Sequence, residues 1–382
     1  MGEFEADLIN KKIKHSKYSE YENGIKAMIK LAKSEEGIPI VSSNLDNGAY
    51  LLNCNNVTLD LKTGNSREHR REDFITKLVQ VNYNAQKDCP LWKQFLLDIT
   101  GNNQELIDYL QTIVGYSLTG DTKEQCLFIL YGTGANGKST FIETIRKLLS
   151  DYTCTIDFES LIVKKGSSIP NDIAKLKGKR LILAGECEEE ETFSEKIIKI
   201  LTGQDTITAR YLYGEFFDFK PTGKIFLATN YKPAISGIDF AIWRRIKLIP
   251  FNVTFPEDKQ DRNLITKLEG ELEGILAWAV EGCLKWQKDG IVDPQIIKDA
   301  IAEYKTETDI VGKFINDCCI VDPQKPSFKT TLYEGYRDYC NRNGYSFLNR
   351  RVFSNRLEAK GYVEVRTSKC RSYGNLRFLG YQ

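Results

Sequence analysis

Apolar and polar residues are arranged along this chain in three regimes. Up to about residue 120, apolar positions recur at helical spacing, as in "PLWKQFLLDITG" and "ELIDYLQTIVGYSL". A β-prone stretch punctuated by Asn and Gly, "AYLLNCNNVTLDLKTG", interrupts them. From 121 to about 290, short apolar runs alternate with helical patterns: Cys126 to Tyr131, a helix opening at Lys138, Arg180 to Gly185, then "KIFLATN" and "RIKLIPF". Strands alternating with helices predict a parallel sheet covered on both faces. From 291 to 382, short helices precede "GYVEVRTSKCRSYGNLRFLGYQ", which reads as a hairpin. Helices followed by a small basic hairpin are the plan of a winged helix. The expected organisation is thus a mainly helical region (1–120), an α/β core (121–290) and a winged-helix-like region (291–382), with no internal repeat or low-complexity segment.

Composition adds limits. At 382 residues, 41% hydrophobic and 27% charged, the chain has enough material for a sizeable core. Its longest uncharged stretches, Asn47 to Leu59 and Gln125 to Gly137, fall short of the roughly 18 residues that suggest a membrane helix. The N-terminus lacks a signal-peptide plan. Ten dispersed cysteines without C-x-x-C spacing read as free thiols in a reducing, cytoplasmic setting, and with two histidines, His15 and His69, imidazole chemistry has little material. The net charge of +1 hides an asymmetry: from Lys325 to Gln382 twelve Lys or Arg face four Asp or Glu. That end is the electrostatic candidate for nucleic acid.

Gly132-Thr133-Gly134-Ala135-Asn136-Gly137-Lys138-Ser139 matches G-x-x-x-x-G-K-[ST] at every fixed position, followed by Thr140, with a strand before it and a helix after. Backbone amides turned inward by the glycines grip phosphate, Lys138 reaches the terminal pair, and Ser139 offers a hydroxyl to magnesium. The reading predicts ATP and Mg2+ as ligands.

Hydrolysis needs an acidic group at a neighbouring strand end. "RLILAGECEEEE" supplies Glu186 and Glu188, which project to one side of an extended segment; one carboxylate would hold the metal and the other polarise the attacking water. The bland reading, a solvated acidic turn, is preferred for Glu189, Glu190 and Glu191. "KIFLATN" ends in Asn230, either a γ-phosphate sensor or a turn cap before Pro233. Arg244-Arg245 then precede a strand, either as a surface ion-pair feature or as a finger stabilising the transferring phosphoryl group.

The order of these pieces, with "LTGQDTITARYLYGEFFDFKPTGKIFLATN" between the acidic pair and the Arg pair, resembles the superfamily 3 helicases, and more narrowly the poxvirus and satellite-phage primase-helicase group. "YLLNCNNVTLDLKTG", "CPLWKQFL" and "GYSLTGDTKEQCLFILYGTGANGKST" look like that group's domain preceding the core. The resemblance implies an AAA+ ATPase ring, usually a hexamer of identical chains, translocating 3′-to-5′ on single-stranded DNA. It implies Lys138 and Ser139 on nucleotide and metal, Glu186 and Glu188 as the acidic pair, Asn230 as sensor, and Arg245, with Arg244 second, as the finger reaching the next subunit. The segment Arg210 to Lys220 would be the channel hairpin; Tyr213 and Arg210 are its best DNA contacts, with Lys220 on phosphate. Residues 1 to 120 supply no carboxylate cluster of the kind a primase needs, so the chain reads as a helicase without primase or as part of a longer polypeptide.

For the basic tail, "FLNRRVFSNRLEAKGY" would be a recognition helix presenting Arg350, Arg351 and Arg356 to duplex DNA, with Lys369 and Arg371 on the wing. The bland alternative is a domain used for docking or stability. Rival functions are an origin-binding initiator in which nucleotide controls assembly and a metabolic phosphotransferase.

Overall fold

The structure, a computed structural model, describes residues 2–162, 171–188, 191–235, 240–322, 324–366, 371–373 and 375–380. Lys369, Glu189 and Glu190 lie outside the described residues. The chain divides into two compact units, one of residues 1–48 with 70–76 and one of 49–69 with 77–382.

The first unit carries helices α1 (Gly2–Glu20) and α2 (Glu22–Ala32). Its return segment is held by Asp46, whose carboxylate accepts from Thr76 N at 2.7 Å and Thr76 Oγ1 at 2.6 Å.

The second unit begins with an antiparallel meander, β1 (Leu51–Asn53), β2 (Thr58–Asp60) and β3 (Asn65–Arg67), followed by α3 (Pro90–Thr100) and α4 (Gln104–Ser117). Pro90 opens α3, and the next two amides donate to the Glu271 carboxylate at 3.1 and 2.9 Å. Gly101, left-handed at φ 62°, ends α3, and Asn103 caps α4 through Leu106 N.

The core follows as β4 (Leu127–Tyr131), α5 (Lys138–Leu149), β5 (Thr153–Ile156), β6 (Leu181–Ala184), α6 (Glu195–Thr202), β7 (Ile207–Arg210), β8 (Phe216–Phe219), β9 (Lys224–Thr229), α7 (Phe240–Trp243) and β10 (Ile246–Pro250). Helices α8 (Leu264–Glu269), α9 (Leu272–Asp289) and α10 (Gln295–Thr308) come next. Five strands form a parallel sheet in the order β10-β4-β9-β6-β5. The apolar runs are continuous because both faces are covered: Phe128 and Leu130 pack with α5 and α9, Leu127 and Ile129 with α6 and α7. The edge strand β5 escapes the sequence reading because its "TCTI" is short and half-exposed. Helices α4 and α9 meet backbone to backbone, since a Cβ on Gly115 would lie 2.1 Å from Cys283 N.

Below the sheet, two buried cations serve α4. Arg180 donates to the carbonyls of Leu118 and Leu51, and Lys224 to those of Thr119, Asp121 and Thr222. They satisfy carbonyls of the segment that follows α4 and of the chain on either side of it. Burial, and then the neighbouring Arg180, holds Lys224 well below the usual lysine range.

The C-terminal region runs α11 (Ile310–Cys318), β11 (Cys319–Val321), α12 (Lys329–Arg342), α13 (Arg350–Ala359), β12 (Glu364–Arg366), β13 (Arg371–Tyr373) and β14 (Leu376–Phe378). Its core gathers Phe314, Tyr336, Phe353 and Leu357. The last segment is more than the single hairpin read from sequence: β12 pairs β13, while β14 returns to pair β11. Among the described residues, no helix is long and apolar enough to cross a membrane.

Candidate functional site

The phosphate loop joins β4 to α5 at the carboxyl edge of the sheet, between neighbours β10 and β9. Its conformation explains its residues. Gly134 and Gly137 sit at φ 112° and 83°, where side chains are strained, and a Cβ on Gly132 would lie 2.5 Å from Phe251 O. Gly137 caps α5 without a side-chain acceptor, so the first amides of this 12-residue helix face the loop with their dipole.

Lys138 is 5% exposed, and its ammonium donates to Gly132 O at 2.7 Å, Asn136 Oδ1 at 3.0 Å and Asn230 Oδ1 at 3.0 Å. Asn136, also buried, donates in turn to Phe251 O at 3.3 Å. The loop amide thus anchors the lysine to the end of β10, and Asn230 at the tip of β9 meets it from the other side. Burial pushes the Lys138 pKa down, and the charge of Glu186 partly opposes this. A positive group held at a cost in desolvation is suited to take an anion.

Glu186 and Glu188 are exposed beyond β6, with Cys187 buried between them, as alternation requires. Glu186 is the one felt by Lys138. The Glu191 carboxylate accepts from Glu188 N at 2.8 Å. Thr133 is exposed on the loop, Ser139 is exposed in the first turn of α5, and Thr140 beside it is half-buried.

The arginines separate. Arg245 is 8% exposed and donates to Thr202 Oγ1 (3.2 Å), Ala241 O (2.6 Å) and Gln125 Oε1 (3.3 Å). Arg244 is exposed and donates to the same Gln125 oxygen at 2.6 Å. Arg245 is thus the enclosed member of the pair and Arg244 the exposed one. Gln125 carries no sequence signal for this role.

β7 and β8 pair from Ile207 with Phe219 to Arg210 with Phe216, so the hairpin begins three residues earlier than its sequence boundary. Phe219 is buried and Phe217 half-buried, whereas Tyr211, Leu212, Tyr213 and Phe216 are exposed. Tyr213, 99% exposed, takes the left-handed φ of 60° itself, next to Gly214. An aromatic held in that region is stored strain. Arg210 lies 5.2 Å from the Phe216 ring centroid, and Lys220 is exposed at the base.

In the C-terminal region a groove of about 990 Å³ lies between the start of α12, α13 and the β12–β13 hairpin, lined in part by Lys329, Arg350, Arg351 and Arg371. Glu364 holds Lys329 at 2.7 Å and lies 3.6 Å from Arg371. Arg356 is not on that surface. It is 5% exposed, its pKa lowered by burial against the opposing charge of Asp309, so the expectation that it reaches DNA is corrected. Helix periodicity explains this: Arg356 falls beside Phe353 and Leu357, on the face turned to the domain core.

Comparison with known proteins follows the same layout. A D5 N-terminal-like family matches residues 3–101, a family of unknown function residues 130–245, and a poxvirus D5 protein-like family residues 306–375. The provisionally named helicase L207/L206 of Acanthamoeba polyphaga mimivirus is 29% identical, covering 89% of this chain and 38% of its own length. Primase D5 of fowlpox virus is 31% identical over 42% of this chain and 21% of its own. The chain thus spans well under half of these relatives. The solved apo C-terminal region of NrS-1 is similar at 12% identity with a TM-score of 0.49, covering 79% of each chain. The chain thus resembles D5-like viral proteins at its two ends, residues 3–101 and 306–375, and is similar to viral proteins named as a helicase and a primase.

Proposed function

We propose that this chain is the ATP-dependent motor of a viral or mobile-element DNA helicase, working in replication initiation or fork progression. The observation that carries the reading is the hydrogen bond from Lys138 to Asn230 at the tip of β9, with the charge of Glu186, beyond the neighbouring strand β6, acting on the same ammonium. Nucleotide sites of open parallel sheets lie at such carboxyl edges.

The residues fit ATP with magnesium. The uncapped amides of α5 suit phosphate, and the donor set of Ser139 and Glu186 matches a small cation that keeps water and substrate phosphates among its ligands. The metal would neutralise charge on the phosphates. Lys138 would exchange its in-chain acceptors for phosphate oxygens, Asn230 would report the terminal phosphate, and Glu188 would polarise the attacking water. Arg244 would reach the site of a neighbouring copy, which makes a ring, by family resemblance a hexamer, the working form. The exposed tip around Tyr213, with Arg210 and Lys220, would contact single-stranded DNA, with 3′-to-5′ movement implied by that resemblance alone.

Asn136→Ala is expected to raise KM for ATP more than it lowers kcat, because it loosens Lys138 without removing it; an unchanged KM would refute the anchoring role. Tyr213→Ala should weaken single-stranded DNA binding by about tenfold, within the roughly 1–3 kcal/mol of a base stack. Titration with a labelled oligonucleotide checks it. The double variant Arg350→Ala/Arg351→Ala should lower the salt slope of duplex binding by about 2, near 0.9 per phosphate contact.

The basic C-terminal groove also favours a second reading, an origin-binding initiator in which ATP mainly controls assembly. Strand displacement on a forked duplex decides: ATP-dependent unwinding supports the motor, and its absence alongside tight duplex binding supports the initiator.

A further inference from the structure

The turn after β9 is attached in three directions. Asn230 receives the Lys138 ammonium. Two residues on, Lys232 pairs with Glu307 of α10 at 2.7 Å, and its ammonium stands 4.8 Å from the Tyr131 ring centroid. The next carbonyl, of Pro233, accepts the hydroxyl of the fully buried Tyr304, also on α10. Ala234 then donates to Glu191 O at 2.7 Å and its carbonyl accepts from Phe193 N at 3.0 Å, which joins the turn to the acidic segment after β6. A shift of Asn230 is therefore felt by α10.

The same C-terminal end of α10 is attached to the basic domain. Just past Thr308, the Asp309 carboxylate accepts from Gly312 N at 2.9 Å to cap α11, and also accepts the ammonium of Lys360 at the end of α13. The buried Arg356 of α13 lies in the field of the same carboxylate. Helix α13 is the element that brings Arg350 and Arg351 to the groove. The last turn of α10, with Asp309 directly after it, thus holds the phosphate-facing turn through Tyr304 and Glu307 and the basic helix through Asp309, all within six residues.

We propose that the C-terminal turn of α10 is a lever coupling the nucleotide site to the basic C-terminal groove, so that a nucleotide at Lys138 changes the groove's affinity for duplex DNA. This rests on the reading of ATP and DNA as ligands given above. The differential contact is at Lys138: a phosphate oxygen competes with Asn230 for its third donor, so the turn has two arrangements that nucleotide distinguishes. Reciprocity requires that duplex changes nucleotide affinity by the same factor. The claim concerns a coupling energy, so it is tested as one rather than inferred from contiguity.

The test measures anisotropy of a labelled 20-base-pair duplex with the full chain, with and without magnesium and ATPγS. Wild type should show about a tenfold difference, inside the usual 5–150-fold range of coupling. Glu307→Gln should reduce it below about twofold while duplex affinity without nucleotide and the thermal midpoint hold. Lys232→Gln should do the same from the other side, and the exchange Lys232→Glu/Glu307→Lys should restore it. Equal wild-type affinity in both conditions, with each ligand bound, overturns the lever, as does full coupling in folded Glu307→Gln and Lys232→Gln. If wild type binds neither ATPγS nor duplex, the underlying functional reading fails instead, and the lever falls with it.

Discussion

Lys138→Ala is expected to abolish ATP turnover, lowering kcat/KM by at least about 10³-fold, or roughly 4 kcal/mol at 1.36 kcal/mol per tenfold. The size follows from the position. The ammonium is buried, has three in-chain acceptors and sits between the loop and the tip of β9. Its removal takes away the charge that phosphate would meet and leaves Gly132 O, Asn136 Oδ1 and Asn230 Oδ1 without their donor. The last effect costs about 1–3 kcal/mol for an unsatisfied buried group, so a lower melting temperature should accompany the lost activity. Asn230→Ala separates the two contributions: it should keep nucleotide binding yet hydrolyse slowly, because it spares the charge. Wild-type turnover by folded Lys138→Ala would sink the site assignment.

The core was legible in the sequence because its signals are local. Phosphate loops are fixed by steric rules at Gly132, Gly134 and Gly137, and a buried parallel strand announces itself as a run such as "LFILY". The alternation that exposes Glu186 and Glu188 around Cys187 is equally local. What stayed hidden depends on partners far along the chain. Nothing near Arg245 says that Thr202 and Gln125 will enclose it, and nothing near Lys232 announces Glu307, 75 residues away. Arg356 was misjudged for a different reason: a basic run counts charges, whereas the helix divides them, sending Arg350 and Arg351 outward and Arg356 in with Phe353 and Leu357.

The arginine pair gives the second large effect. Arg244→Ala should retain ATP binding, since its guanidinium is exposed and touches only Gln125 among the hydrogen bonds observed, but should lose hydrolysis by about 10³–10⁵-fold, the scale of arginine fingers. Arg245→Ala should act differently: it strips Thr202, Ala241 and Gln125 of a shared donor inside the chain, so the first readout to move is stability, by about 1–3 kcal/mol. Mixing identifies the site. In an assembly of Arg244→Ala and Lys138→Ala chains, some junctions place an intact Lys138 beside an intact Arg244 from the neighbour, and turnover should return there. The Arg245→Ala chain offers no such complementation of its stability loss, because the contacts it breaks are its own. Mixed assemblies shown to form but remaining inactive would remove Arg244 from the neighbour's site. The outward guanidinium would then be left to another contact of the chain.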